Sequence, residues 1–137
     1  MSDTARFADR QAEGLPGLLG FEWTDAQPGL VRGRFEVQAH HMAANGYLHA
    51  ATVVALADTA CGFGCLAALP LGATGFTTAE LKANLIGTAR QGGVSCEARL
   101  LHGGRTTQVW DATVANEATG KAIALFRCTQ IILYAAP

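Results

Sequence analysis

The chain has 137 residues, half of them hydrophobic and 15% charged, and its net charge is −1. That is the size of one domain spanning 1–137 with a real core, and a near-neutral charge without a basic cluster speaks against a nucleic-acid partner. The opening MSDTARFADRQAEG lacks the apolar run of a secretory signal, so the expected location is cytoplasmic and Cys61, Cys65, Cys96 and Cys128 are expected as reduced thiols.

Residues 4–13 read as a short polar helix on the outside, ended by Gly14 and Pro16. A strand is expected to begin within 18–24, and Gln27-Pro28-Gly29 is a turn. Val31 to Val37 alternates strictly, with its charges on one face, as a half-buried antiparallel strand does. From Gln38 to Leu48 there is no period, and His40 and His41 read as solvated or capping residues.

The stretch His49 to Leu69 is apolar all round, which marks a helix buried on every side. Its single charge is Asp58, and no other Lys, Arg, Asp or Glu occurs between Glu36 and Glu80. That lone acid and the lack of basic flanks favour a core helix over a membrane span, so no membrane partner is expected. Cys61 and Cys65 stand four apart on this helix, but Cys96 and Cys128 lie on apolar strands, so no metal site is expected. Pro70 and Gly72 end the helix, and a loop is expected over 70–76.

Four strand-like runs follow: Phe76 to Ile86, then a run from Gly93, then Thr106 to Asn116, then Lys121 to Tyr134. Gly103-Gly104 and Thr119-Gly120 supply turns between them. Strands gathered beside one apolar helix give an α+β fold, an antiparallel sheet wrapped around a long central helix. A single sheet covers one side only, so Ala51, Ala55, Gly62 and the Asp58 flank are expected to need a second subunit.

The amide groups at the helix start, around Ala50 and Ala51, carry the positive end of the helix dipole and can polarise a carbonyl or hold an oxyanion. His49 stands at the cap, where it can orient the loop or face a substrate. Asp58 can attack or activate water, and burial would raise its pKa; the plainer alternative is a structural carboxylate bonded to backbone amides. Ala50 and Asp58 are eight residues apart, about 12 Å of helix rise, so they cannot meet at one carbonyl carbon within a chain. Two helices laid side by side and antiparallel across a dimer would bring them together.

Asn45-Gly46-Tyr47-Leu48-His49-Ala50-Ala51 followed by Leu56-Ala57-Asp58-Thr59-Ala60 resembles the N-x-x-G-x-x-H-G-G-x(6)-A-D core of hot-dog-fold acyl-CoA thioesterases of the PaaI-like type, relatives of the 4-hydroxybenzoyl-CoA thioesterases. Thr77 to Leu85 and Leu101 to Thr107 are similar to strand segments of that family. The resemblance implies a hot-dog fold, a homodimer or dimer of dimers, and hydrolysis of an acyl-CoA substrate without cofactor or metal. It carries the catalytic carboxylate to Asp58, the carbonyl-polarising amide to Ala50 and the motif histidine to His49, and it implies that Gly46, Ala51, Thr59, Gly62, Thr77 and Thr78 lie along the substrate. Two positions depart from the pattern: Ala50-Ala51 replaces a glycine pair, and Ala43 stands where the family has Asn or Gln, with Asn45 the candidate to replace it.

The leading reading is a thioesterase acting on an aryl- or phenylacyl-CoA, with Lys82, Arg90 and Arg105 as candidates for the CoA phosphates. The alternatives are a hot-dog hydratase or dehydratase and a non-catalytic acyl-CoA-binding dimer.

Overall fold

A computed structural model describes residues 2–137. Helix α1 (Asp3–Gln11) is capped by Ser2, whose Oγ accepts the Ala5 N–H, and a four-residue helix α2 (Leu15–Leu18) follows. Strands β1 (Glu22–Gln27) and β2 (Leu30–Glu36) form a hairpin, and a 3₁₀ turn at Ala39–His41 leads toward α3 (Ala50–Ala67). Then come β3 (Ala73–Leu85), β4 (Gly93–Gly103), β5 (Thr107–Asn116) and β6 (Ala122–Tyr134). The strands make one antiparallel sheet in the order β1-β2-β4-β5-β6-β3, with α3 packed on one face.

The expected architecture is therefore the observed one, with local corrections. The segment expected to open a strand at Leu18 forms α2 instead, because Pro16 near the start of a helical turn costs no hydrogen bond; the strand begins at Glu22. Strand β3 starts at Ala73, shortening the loop expected over 70–76. Helix α1 does not lie merely outside: Phe7 is buried and stacks on Phe63 of α3 with ring centroids 4.4 Å apart.

By length and hydropathy α3 could cross a bilayer, but the sheet and α1 cover ten of its eighteen residues. The close fit explains its small residues: a Cβ on Gly64 would lie 2.4 Å from the Trp110 ring, so only glycine lets that fully buried indole lie against the helix. Trp110, Phe35 and Leu56 are fully buried, and each contributes about 1.5–3 kcal/mol relative to exposure. Gly62, expected to stay open, is buried by this chain's own Phe76, whose Cζ would sit 3.0 Å from an added Cβ. Ala51 is exposed, while Ala55 and Asp58 are half-buried.

His41 is a capping residue, as the sequence allowed, but not a solvated one. It is 1% exposed, its Nδ1 accepts the Gln38 N–H at 2.9 Å in the cap of the 3₁₀ turn, and its Nε2 lies 2.7 Å from the Leu19 carbonyl. Its own carbonyl accepts the Thr52 hydroxyl and the His49 N–H, so His41 fixes the approach to α3. Burial lowers its pKa, which keeps the ring neutral in this role.

Candidate active site

The start of α3 is shaped by its cap. His49 has extended backbone angles (φ −65, ψ 134), and its Nδ1 accepts the Ala51 N–H at 2.9 Å. The His49 carbonyl takes the Thr52 and Val53 amides. Ala51, expected to offer a free donor, is thus committed to the cap, and among the described residues Ala50 keeps the unpaired N–H of this group. Ala50 is exposed, so that amide and the dipole behind it face outward.

The approach to this point is a small hairpin. Met42 bridges Leu48, the Asn45 Oδ1 accepts the Tyr47 N–H at 3.1 Å, and Gly46 takes φ +83 at the tip, where a side chain would be strained. Leu48 N–H donates to Thr88 Oγ1, and the Arg90 guanidinium lies 5.1 Å from the centre of the Tyr47 ring. Arg90 is thereby beside the loop that feeds the helix start.

Further along α3, Asp58 opens into a cleft of about 460 Å³. The floor is Thr59, Gly62, Phe63 and Leu66 of α3; Thr74, Gly75 and Phe76 of β3 form one wall, and Arg10, Gln11, Gly14 and Pro16 close the end. The Oδ1 of Asp58 is buried without a hydrogen-bond partner, the one side-chain oxygen or nitrogen in that condition among the described residues. Buried polar groups are nearly always paired, so an orphaned carboxylate oxygen at a cleft makes Asp58 the candidate functional residue of this cleft. Burial raises the Asp58 pKa above its ordinary 3.8, and the Thr78 hydroxyl opposes that rise.

Thr78 faces inward from β3 and donates to Gln130 Oε1 at 2.7 Å, and Gln130 is fully buried. Its neighbour Thr77, paired with Ile131, is exposed and points to the other face of the sheet. Lys82 also points outward, paired with Arg127, whose guanidinium meets Asp111. Arg105 sits in the β4–β5 turn, where its carbonyl accepts the Tyr134 hydroxyl.

Two groups of expected site residues thus form within a chain. Asp58, Thr59 and Gly62 share the cleft, with Thr78 beside the acid, while Asn45, Gly46, His49, Ala50, Ala51 and Arg90 gather at the helix start. Thr77, Lys82 and Arg105 join neither group. Residues the sequence did not single out also enter the cleft, namely Arg10, Phe63 and Phe76, brought there by packing between distant segments. Among the described residues no three His, Cys, Asp or Glu side chains cluster to hold a metal, and the four cysteines are buried free thiols.

Residues 45–123 match the family model of the thioesterase superfamily. A curated relative, the 1,4-dihydroxy-2-naphthoyl-CoA hydrolase of Listeria monocytogenes, is 30% identical over 116 residues, covering 85% of this chain and 93% of the relative. Among solved structures, a glutamine-to-alanine variant of a thioesterase from Pseudomonas aeruginosa superposes with a TM-score of 0.90 at 25% identity, over 97% of this chain and 95% of that one. The Escherichia coli PaaI protein of the phenylacetic acid degradation operon shares the fold at a TM-score of 0.83 and 20% identity, over 98% of this chain and 96% of that one. With more than half of the chain matched by the family model, across the helix start and the cleft acid alike, this chain belongs to the thioesterase superfamily and is a thioester hydrolase of hot-dog fold.

Proposed function

We propose that the enzyme hydrolyses the thioester of an aromatic acyl-CoA, with Asp58 of one protomer and the Ala50 N–H of a second protomer forming each site. The observation that carries this reading is the unpartnered Oδ1 of Asp58 at the cleft. A carboxylate relieved of stabilising partners is a stronger base, and one facing a cleft has room for a carbonyl. Asp58 drives the attack, either on the thioester carbon itself or through a water that it deprotonates. The carbonyl oxygen gains negative charge, which the Ala50 amide and helix dipole stabilise. In the water route, collapse expels the CoA thiolate, which takes the proton Asp58 removed from water, and leaves the free acid. In direct attack, collapse leaves a mixed anhydride on Asp58, which water hydrolyses to the free acid and the regenerated carboxylate while the thiolate takes up a proton from that water.

The need for a second protomer follows from the roughly 12 Å of rise between Ala50 and Asp58 on a rigid helix. Strand β3 supports it. This strand runs 13 residues with one edge unpaired, a feature that invites pairing with another chain. Leu81 and Leu85 pair with Cys128 and Ala124 and so face the helix side of the sheet, yet they are 42% and 48% exposed. Pairing β3 with β3 of a second copy would continue the sheet and cover them. On the opposite face, Leu125, Ile131 and Leu133 are exposed, and contact there would join two dimers into a dimer of dimers.

Phe63, Leu66 and Phe76 around the cleft suit an aromatic acyl group, and the Listeria monocytogenes relative is named for an aromatic CoA thioester. Arg90, near the helix start, is the candidate for the CoA phosphates. A thiol reagent with a panel of aryl- and alkyl-CoA esters tests the reading. Wild type is expected to release CoA fastest from aryl esters, and Asp58→Asn to lower kcat by about 10²–10⁴-fold. No CoA release from any ester, or hydration of a crotonyl-type substrate in its place, would overturn it.

A further inference from the structure

We propose that Gln130 is a positioning residue for Asp58: its buried amide oxygen competes with the carboxylate for the single hydroxyl proton of Thr78 and so keeps the cleft acid short of donors. This deepens the reading of Asp58 as the acting carboxylate and rests on it. Gln130 stands on β6 opposite Thr78 of β3 and Gln108 of β5, in a polar row on the helix side of the sheet. It is fully buried, so its amide must find partners among its neighbours. Gln108 offers none, because its Nε2 donates to the Ala68 carbonyl and its Oε1 accepts the Trp110 indole N–H, both at 2.9 Å. Among the described residues, Thr78 at 2.7 Å is the donor to Gln130 Oε1, and Cys128 Sγ at 3.5 Å is the acceptor for its Nε2.

A hydroxyl has one proton to give. That of Thr78 lies beside two groups able to accept it, Gln130 Oε1 and the Asp58 carboxyl, whose upward push from burial it opposes. Where the proton lies on Gln130, Asp58 meets only oxygen lone pairs, and its Oδ1 is the side-chain atom left without a partner. The thiol of Cys128 steadies this arrangement. By accepting from Nε2 it holds Oε1 toward Thr78, whereas a turned amide would aim Nε2 at the hydroxyl oxygen and release the proton to Asp58. Gln130 thus divides the Thr78 proton between its own oxygen and the acid, and a carboxylate with fewer donors is the stronger base. Other ionisable groups near the acid are few. Helix α1 brings Arg10 to the cleft, α3 the buried thiol of Cys61 and β6 that of Cys128, while Glu80 and Lys82 of β3 are exposed. None of these shifts the Asp58 carboxyl, on which burial and then Thr78 act.

Isotope labelling of the aspartate carboxyl carbons lets the Asp58 titration be followed by NMR without substrate, its signal identified by its loss in Asp58→Asn. Turnover of aryl-CoA esters across pH is measured in parallel, and thermal melts establish that each variant is folded. Gln130→Met keeps the length of the side chain and leaves no acceptor orphaned, since the Thr78 hydroxyl can turn wholly to Asp58; Gln130→Leu is the second variant. In both, the Asp58 titration and the acid limb of kcat/KM are expected about one pH unit below wild type, the shift that one hydrogen bond to a charged group supports. In a Thr78→Val background the Gln130 substitutions are expected to move neither, because the hydroxyl through which Gln130 acts is gone. A titration unchanged or raised in either Gln130 variant, or the same shift with and without the Thr78 hydroxyl, would overturn the proposal and leave Gln130 as a tie between β3 and β6. The expected titration shift with no CoA released from any ester would support the role of Gln130 while overturning the thioesterase reading, so the two fail separately.

Discussion

The Nδ1 of His49 accepts the Ala51 N–H at 2.9 Å, and this one bond decides which amide at the start of α3 is left unpaired. A histidine whose Nδ1 is an acceptor carries its neutral-ring proton on Nε2, so the side chain holds the cap and turns its own N–H outward. Ala50, one residue earlier, keeps the free amide.

Ala50→Pro removes that amide with little cost to the helix. Proline is tolerated at the first helical position, and His49 before it already has the extended backbone that a following proline requires. The variant is expected to melt close to wild type while kcat falls about 10²–10³-fold, the loss typical of removing one oxyanion donor. Steady-state kinetics beside a thermal melt check both; full activity would remove Ala50 from the mechanism.

Asp58→Asn is expected to lower kcat by about 10²–10⁴-fold and to stabilise the protein at neutral pH. The folded-state pKa of Asp58 lies above its ordinary 3.8 because burial disfavours the charged form. Between the unfolded and folded pKa the native state therefore binds more protons, and the Asp58 contribution to stability falls as pH rises through that window. Melts of wild type and Asp58→Asn should show the variant ahead at pH 7 by a margin that closes toward pH 4. The acid limb of kcat/KM should fall as pH drops through the folded pKa, with its midpoint above 3.8.

Thr78→Val should move that limb. Thr78 holds the Asp58 pKa down, so its removal raises the pKa and shifts the acid limb of the pH profile upward. The same change strips the donor from Gln130 Oε1, a fully buried acceptor, at a cost of about 1–3 kcal/mol. Thr78→Ser keeps the hydroxyl and is expected to restore both the profile and the melting temperature.

Leu81→Asp addresses the unpaired β3 edge. Leu81 faces the helix side of the sheet opposite Cys128 and is 42% exposed in one chain, a position that a second copy would bury. A carboxylate there is expected to leave a folded monomer by circular dichroism and sedimentation, with hydrolysis lost. A variant that still sediments as a dimer, or hydrolyses as a monomer, would count against the β3 interface.

The sequence disclosed α3 because an apolar run broken by one acid has few structural readings, and His49 and Asp58 fell where local spacing placed them. The turns at Gly29, Gly46 and Gly120 were equally legible, since each takes the positive φ that its turn requires, whereas Gly103 lies within β4. What stayed hidden depended on distant segments. His41 is pinned by the Leu19 carbonyl, 22 residues away, and no local pattern distinguishes it from His40. Helix α2 is hidden because Gly14 and Pro16, which end the preceding helical pattern, look like breakers. Arg10 was one charge in a polar helix until Phe7 stacked on Phe63 and carried that helix to the cleft. The cover over Gly62 likewise comes from Phe76, which the helix pattern does not contain.

The central claim is that each site takes Asp58 from one protomer and the Ala50 amide from another. Mixing inactive Asp58→Asn with inactive Ala50→Pro and allowing subunits to exchange tests it directly. Random exchange makes half of the dimers hybrid, and each hybrid then holds one site with both groups intact, so the expected recovery is about a quarter of wild-type activity. If both groups act within one chain, no hybrid contains an intact site, and a mixture as inactive as its parents after confirmed exchange would contradict the account.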